Sequence, residues 1–306
     1  MLRIGIIGGG QNIEPSIEQI DGSGNCLFQG FYDVGCEGSH EKKFDQLEEL
    51  LDISDAFYVF NPLGNGAIAE KVVRHQKHLL IESPFAPSSE AGSYFMNLVR
   101  EADVKLHISN PNRYNDALYN TSPYFQNPIF IEGHRLHNHT PETKDLSLVL
   151  NVMIHDIDII LHVVKSNVKQ VSANGARVVS ADQADIVNAR IEFENGCIAN
   201  LTASRINTVP EHKINFYQPS NFITVDYLKK QSTVYELEAQ KRFKKKNEFL
   251  NNVFTFDGAL DQASLNEFHF FAESIESNKP TVSMVNCLQA LEIAYLINEK
   301  VQNNLR

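Results

Sequence analysis

Short apolar runs alternate with one-sided helical patterns through the first third of the chain, the mark of stacked βαβ units. The runs Arg3–Ile7, Cys26–Tyr32, Ala56–Phe60, His78–Ile81 and Lys105–Ile108 predict strands. Helices are predicted near Ile13–Ile20, Lys42–Leu51, Ala67–His75 and Glu90–Ala102. Ile13, Ile17 and Ile20 recur at the spacing of a helix laid on a sheet. The expectation is an α/β domain over residues 1–120, a Rossmann-like doubly wound parallel sheet.

From Pro111 to Pro128 the chain is rich in Asn, Pro and Tyr and loses its periodicity, which predicts a boundary. Beyond it, Ile129–His134, Val168–Val179, Asp185–Glu194, Cys197–Arg205, His212–Tyr217, Asn221–Asp226 and Ser232–Leu237 read as strands. Tight turns such as Glu194-Asn195-Gly196 join neighbours, a hairpin signal. Strands without intervening helices predict an open, mostly antiparallel sheet. Leu265–Ser277 and Cys287–Val301 close the chain as helices, so residues 121–306 form an α+β domain.

One helical stretch departs from this texture. Leu150, Met153, Ile154, Ile157, Ile160 and Leu161 give it an apolar face, while Asn151 and His155, four apart, share the other. A polar pair on an otherwise greasy helix points to a cleft. Proton transfer needs a titratable group, and His155 supplies one; the amide of Asn151 cannot take a proton near neutral pH.

Bulk numbers narrow the classes. A chain of 306 residues accommodates two cores, and 42% hydrophobic with 21% charged residues is ordinary for a water-soluble protein. The net charge of −11 argues against a nucleic-acid partner; the basic run Lys241–Lys246 reads as a solvated loop or helix face. Cys26, Cys36, Cys197 and Cys287 show neither metal-ligand spacing nor a pairing pattern, so reduced thiols in the cytoplasm are expected. Met1–Gly8 runs directly into the first strand, leaving no room for a leader, and no stretch is long enough to span a bilayer.

The candidate chemistry gathers at strand ends. Gly8-Gly9-Gly10-Gln11-Asn12-Ile13 follows a strand and opens a helix, the context of a dinucleotide fingerprint. Gly8 suits the tight turn and Gly10 the close approach of a pyrophosphate, but Ile13 stands where a third glycine is expected. A β-branched side chain there would push the helix away or occupy space near the phosphates. Asp33 lies about 20 residues beyond the turn, where a carboxylate binds an adenosine ribose and repels a 2′-phosphate; the alternative is a loop cap. Asn61-Pro62-Leu63-Gly64-Asn65-Gly66, Glu82-Ser83-Pro84 and Asn112-Arg113-Tyr114-Asn115 follow the third, fourth and fifth strands. Arg113 suits a substrate contact and a pin at the domain junction equally. His155, Asp158 and His162 share a helix face, but no second cluster completes a metal site. His134, His137 and His139 precede that helix, the last two as loop residues near a cleft, and Glu132 and Arg135 suit an ion pair as well as a substrate contact.

Together the glycine turn, Glu-x-Pro, Arg113-Tyr114-Asn115 and His155-Asp156-Ile157-Asp158 resemble the glucose–fructose oxidoreductase/inositol dehydrogenase (Gfo/Idh/MocA) family over essentially the full chain. Met153–Ile159, Ala189–Cys197 and Ala203-Ser204-Arg205 are similar to a bacterial branch related to UDP-N-acetylglucosamine 3-dehydrogenases. The resemblance implies an NAD(P)-dependent oxidoreductase acting on a sugar, cyclitol or nucleotide-sugar hydroxyl. Gly8, Gly10, Gln11, Asn12, Asp33, Asn61, Pro62 and Glu82 would hold NAD in preference to NADP. Arg113, Asn115, His137 and Asp158 would meet the substrate, and the open sheet would form a homodimer or homotetramer.

The departures from the family pattern carry equal weight. Ser83 replaces a lysine that, in the family, contacts the reacting hydroxyl and the nicotinamide ribose. Asn151 replaces an aspartate, and Gly66 a histidine frequent near the nicotinamide. Losing an acid–base group costs about 10²–10⁴-fold in rate, and losing an electrostatic donor about 10²–10³-fold. Two readings follow: an oxidoreductase with His155 as base and Asn151 and Ser83 orienting substrate, or a degraded relative that binds a ligand or partner, with the dinucleotide site obstructed by Ile13 or empty.

Overall fold

The fold is described from a computed structural model covering residues 1–10, 13–33, 42–138, 147–180, 182–237, 250–258, 262–278 and 284–305. Gln11, Asn12, Cys36, His139 and the basic run 241–246, singled out above, lie outside the described residues. The chain divides into two compact units, residues 1–111 with 261–291, and residues 112–260 with 292–306.

In the first unit the elements run β1 (Leu2–Ile7), α1 (Ile13–Gly22), β2 (Cys26–Tyr32), α2 (Leu47–Ile53), β3 (Ala56–Val59), α3 (Pro62–Arg74), β4 (His78–Ile81), α4 (Ser89–Glu101) and β5 (Leu106–Ile108). The strands pair in the order β2-β1-β3-β4-β5, all parallel. Every residue of β3 is buried, as expected of a strand covered on both faces. The helix spacing read from Ile13, Ile17 and Ile20 holds: Ile13 and Ile20 are buried, and Ile17 is packed against the same cluster. Ser88 caps α4 by accepting the Ala91 N–H, which sets its start one residue before Glu90.

In the second unit come α5 (Asp116–Tyr119), β6 (Phe130–Leu136), a wide π-type turn at Val149–Met153, α6 (Ile154–Val164), β7 (Val168–Ala176), β8 (Ile186–Phe193), β9 (Ile198–Ser204), β10 (Glu211–Tyr217), β11 (Asn221–Asp226), β12 (Gln231–Leu237) and β13 (Leu250–Asp257). They form one sheet in the order β13-β12-β11-β10-β6-β9-β8-β7, antiparallel except at β6–β9. Burial alternates along β8, β9 and β10, so one face is packed and the other more open. The strand expected to reach Val179 ends at Ala176. There the N–H groups of Val178, Val179 and Ser180 turn onto the Asp185 carboxylate, at 2.7, 2.7 and 2.9 Å. β13 was not foreseen, because Val253 and Phe254 are exposed on an edge strand and give no inward alternation.

The chain ends with α7 (Ala263–Glu276) and α8 (Met284–Asn303). α7 packs on α1 and β2 of the first unit. Phe268, Phe271 and Ala272 enter the cluster of Leu2, Ile4, Ile6 and Ile20, and the Phe268 ring meets Tyr58 edge-on at 5.4 Å. Glu267 is buried beside them. Its carboxylate accepts from His107 Nε2 at 3.2 Å, Ser109 Oγ at 2.8 Å and the Asn110 N–H at 2.7 Å. Removing the acceptor strands these donors away from water, so Glu267→Ala is expected to cost about 3 kcal/mol or more of unfolding free energy in urea. Glu267→Gln, which keeps one acceptor oxygen, should cost less. Equal stability of Glu267→Ala and the parent would show that this carboxylate does not hold α7 to the end of β5.

Candidate active site

The chemistry-bearing residues of the first unit sit at the carboxyl ends of its strands. Gly8, Gly9 and Gly10 all have positive φ, at 73°, 112° and 50°, which L side chains rarely adopt. A Cβ on Gly8 would lie 2.9 Å from Asn65 Nδ2, whereas one on Gly10 would meet no atom of the described residues within 4 Å. Asp33 Oδ2 accepts the Gly10 N–H at 3.2 Å. Ile13 is buried in the core cluster, and its Cγ1 lies 2.9 Å from where a Cβ on Gly9 would be. The close helix–strand approach is thus made by Gly9 meeting Ile13 instead of by a third glycine, and the isoleucine points inward. A glycine turn beside a carboxylate fits the pyrophosphate and ribose of a dinucleotide.

Asn61 takes a left-handed conformation (φ 43°) at the end of β3 and donates its N–H to Glu82 Oε2 at 3.1 Å. Asn65 donates from Nδ2 to the Phe60 carbonyl at 2.8 Å. Burial pushes the Glu82 carboxyl up; the Asn61 N–H opposes this and Glu267 adds to it. Pro62 opens α3, and Ser83, half-buried, separates Glu82 from Pro84. A cavity of about 610 Å³ lies along α3 and α4, lined by Pro62, Gly66, Arg74, Phe85 and Tyr94; it includes neither Gly10 nor Asp33.

The second unit holds a denser charged cluster. Arg113 donates from Nε and Nη2 to both carboxylate oxygens of Asp158, and both side chains are almost completely buried. These two candidate substrate contacts are therefore matched to each other in a bidentate pair. Asn115 caps α5, its Oδ1 accepting the Ala117 N–H at 2.9 Å. Asn151 lies exposed in the π-type turn, and its Nδ2 donates to the Ser147 carbonyl at 2.9 Å, leaving Oδ1 and one N–H for other partners. His137 Nδ1 is 3.1 Å from the Asn138 carbonyl, and its Nε2 is buried with no partner among the described residues. Among those residues no group of three or more His, Cys, Asp or Glu is arranged to hold a metal ion.

Sequence reasoning missed the residues beneath His155. Asp156, 3% exposed, accepts from His212 Nε2 at 2.9 Å and from Arg135 Nη1 at 3.3 Å. Arg135 Nη1 also donates to the Val152 carbonyl, 3.3 Å away in the π-type turn. His212 stacks on Tyr227 with centroids 4.3 Å apart. Arg135 thus makes an ion pair with Asp156, while Glu132, named with it above, lies 3.8 Å from His134 Nε2. The signal for Asp156 was its place beside His155; nothing in the sequence tied His212 or Tyr227 to it.

Burial is the largest effect on Asp156 and raises its pKa, but His212 and Arg135 more than offset it, and the carboxyl ends below its usual range. Burial lowers the His155 pKa to about 4, with Arg135 acting in the same sense and Asp156 and Asp158 opposing. His155 is therefore a neutral imidazole at pH 7, able to accept a proton. An unfolded histidine near pH 6.5 binds protons that the folded one refuses. The stability held by neutral His155 is full above about pH 6.5 and lost as pH falls toward about 4. The melting temperature of His155→Gln should decline less steeply over that window; parallel declines would show that His155 titrates normally.

Comparison with known proteins agrees with this architecture. Residues 124–219 match the GFO/IDH/MocA C-terminal domain. The UDP-N-acetylglucosamine 3-dehydrogenase of Acidithiobacillus ferrooxidans is 28% identical over 215 residues, 67% of this chain and 68% of that protein. A solved structure of the enzyme from that organism superposes with a TM-score of 0.88, covering 99% of this chain and 98% of that one at 24% identity. A levoglucosan dehydrogenase in complex with NADH and L-sorbose gives a TM-score of 0.84 at 15% identity, covering 99% and 97%. The superpositions establish the shared fold, and residues 124–219 resemble the C-terminal domain of the Gfo/Idh/MocA family.

Proposed function

We propose that the protein is an NAD-dependent oxidoreductase acting on a hydroxyl of a sugar or nucleotide sugar. The observation that carries this reading is His155, an imidazole kept neutral by its surroundings on the family's characteristic helix. Gly8 and Gly10 would hold the pyrophosphate, and Asp33 would accept the adenosine ribose hydroxyls, which favours NAD over NADP. Asn61, Pro62 and Glu82 shape the adjoining strand ends. A bound nicotinamide supplies the two-electron acceptor or donor. His155 takes the proton of the reacting hydroxyl on oxidation and returns it on reduction. By the family resemblance Ser83 and Asn151 would each offer hydrogen bonds to substrate, without the charge of the lysine and aspartate they replace. His137, whose buried Nε2 has no partner among the described residues, suits a substrate hydroxyl. The relative from Acidithiobacillus ferrooxidans makes UDP-N-acetylglucosamine the first substrate to try.

A second copy of the chain suits the open sheet face. Phe130, Tyr217, Phe222 and Tyr235 form a cross-strand ladder there, with neighbouring centroids 6.0, 6.0 and 4.2 Å apart. A homodimer or homotetramer through this face would cover it. The second functional reading, a relative that binds without turnover, draws on Asn151, whose amide is tied back to its own turn, and on the mutual pairing of Arg113 and Asp158.

Titration with NADH and NADPH, followed by nicotinamide emission, tests the cofactor assignment. NADH is expected to bind at least about tenfold tighter than NADPH, through Asp33. Absence of binding by either would defeat the oxidoreductase reading. Given binding, Ser83→Lys combined with Asn151→Asp is expected to raise NAD-dependent turnover on nucleotide sugars by about tenfold or more. No gain across a broad panel would remove the argument that these two substitutions limit the rate.

A further inference from the structure

Asp156 follows His155 directly, so anything that grips Asp156 also fixes the backbone carrying the imidazole. Two strands grip it. Arg135 on β6 and His212 on β10 are register partners, and both reach the same oxygen, Asp156 Oδ1, at 3.3 and 2.9 Å. Because the carboxyl is held ionised, it can only accept, so His212 Nε2 carries the proton it shares. The His212 ring is 6% exposed and is clamped against Tyr227 at an interplanar angle of 19°, which leaves it one orientation. Tyr227 in turn donates its backbone N–H to the His212 carbonyl at 2.9 Å. Arg135 adds a bond to Val152, in the turn immediately before α6. The π-type turn preceding α6 has a looser ladder than an α-helix, so the start of α6 depends on these side-chain bonds for its position.

We propose that His212 is a positioning residue for His155: through Asp156, and with Arg135, it fixes the first turn of α6 on the sheet and so sets where the imidazole is presented. This rests on the reading of His155 as the proton acceptor. It also answers a gap in the sequence, since the carboxylate missing at Asn151 has a counterpart at Asp156 that acts on the histidine through the backbone and the local field. Among the described residues, the charged and titratable groups acting on His155 are Arg135, Asp156, Asp158 and His212, and removal of any one shifts the balance of the rest.

The test uses the full chain with ¹³C-labelled histidine, the His155 resonance being assigned by its loss in His155→Gln. His212→Phe keeps a ring against Tyr227 and removes the bond to Asp156. It is expected to raise the His155 titration midpoint by about half a pH unit or more. With a turned-over substrate, it should lower kcat about 10–100-fold while KM stays within about twofold. His212→Gln, which restores a donor to Asp156, should recover most of kcat. If His212→Phe does not fold, Asp156→Asn is measured instead, and the His155 midpoint is then expected to fall. An unchanged His155 midpoint in the folded His212→Phe variant, or in Asp156→Asn in its place, overturns the proposal. Unchanged kcat in a turning-over enzyme overturns it too. Absence of turnover in the parent protein counts against the oxidoreductase reading alone, because the titration still decides the role of His212.

Discussion

Asp156 carries a charge in a place that water barely reaches, and the second unit is arranged around that fact. An ionised carboxylate taken out of water costs several kcal/mol unless cations and donors replace the lost hydration. Here the replacements come from two neighbouring strands and converge on one oxygen. The helix therefore cannot slide or rotate on the sheet without breaking a charged contact, whereas apolar packing alone tolerates such shifts. Arg113 and Asp158 repeat the device two residues further along α6. Next to Asp156 in the chain, His155 sits half-buried and is kept neutral chiefly by that burial, with Arg135 acting in the same sense.

The first unit obeys a different constraint, one of backbone shape. Three successive glycines with positive φ carry the chain from β1 towards α1. Steric room, in place of charge, decides what each position accepts: Asn65 crowds Gly8, Ile13 crowds Gly9, and no described residue crowds Gly10. The broken fingerprint is thus a redistribution of close contact within the same turn. Read from spacing alone, Ile13 threatened the phosphate site; read from packing, it belongs to the apolar layer beneath it.

Most of the architecture was legible because burial imposes periodicity. Strands buried on both faces read as continuous apolar runs, strands of the second sheet as alternation, and helices as one-sided stripes, so the parallel sheet and the mostly antiparallel sheet could both be anticipated. What escaped were features that leave no periodic trace. β13 is an edge strand with Val253 and Phe254 exposed, and the turn at Val178–Ser180 is decided by one carboxylate, Asp185. At the site, residue types that do chemistry stood out, so His155, Asn151, Arg113 and Asp158 could be named. That Arg113 and Asp158 choose each other, and that His212, far along the chain, closes on Asp156, are facts of tertiary register. No spacing rule encodes the pairing of β10 with β6 that aligns His212 with Arg135.

The return of residues 261–291 to the first unit has a consequence for how the protein comes into being. Phe268, Phe271 and Ala272 complete an apolar cluster whose other members, from Leu2 to Leu80, precede them by nearly two hundred residues or more. During synthesis the parallel sheet emerges from the ribosome first but lacks one of its covering layers until almost the whole chain has followed. The second sheet meanwhile has its full set of strands by residue 257. The nascent chain must therefore keep the outer faces of α1 and β2 from premature association for most of translation, and a ribosome stalled before α7 would leave that apolar surface bare to chaperones and proteases.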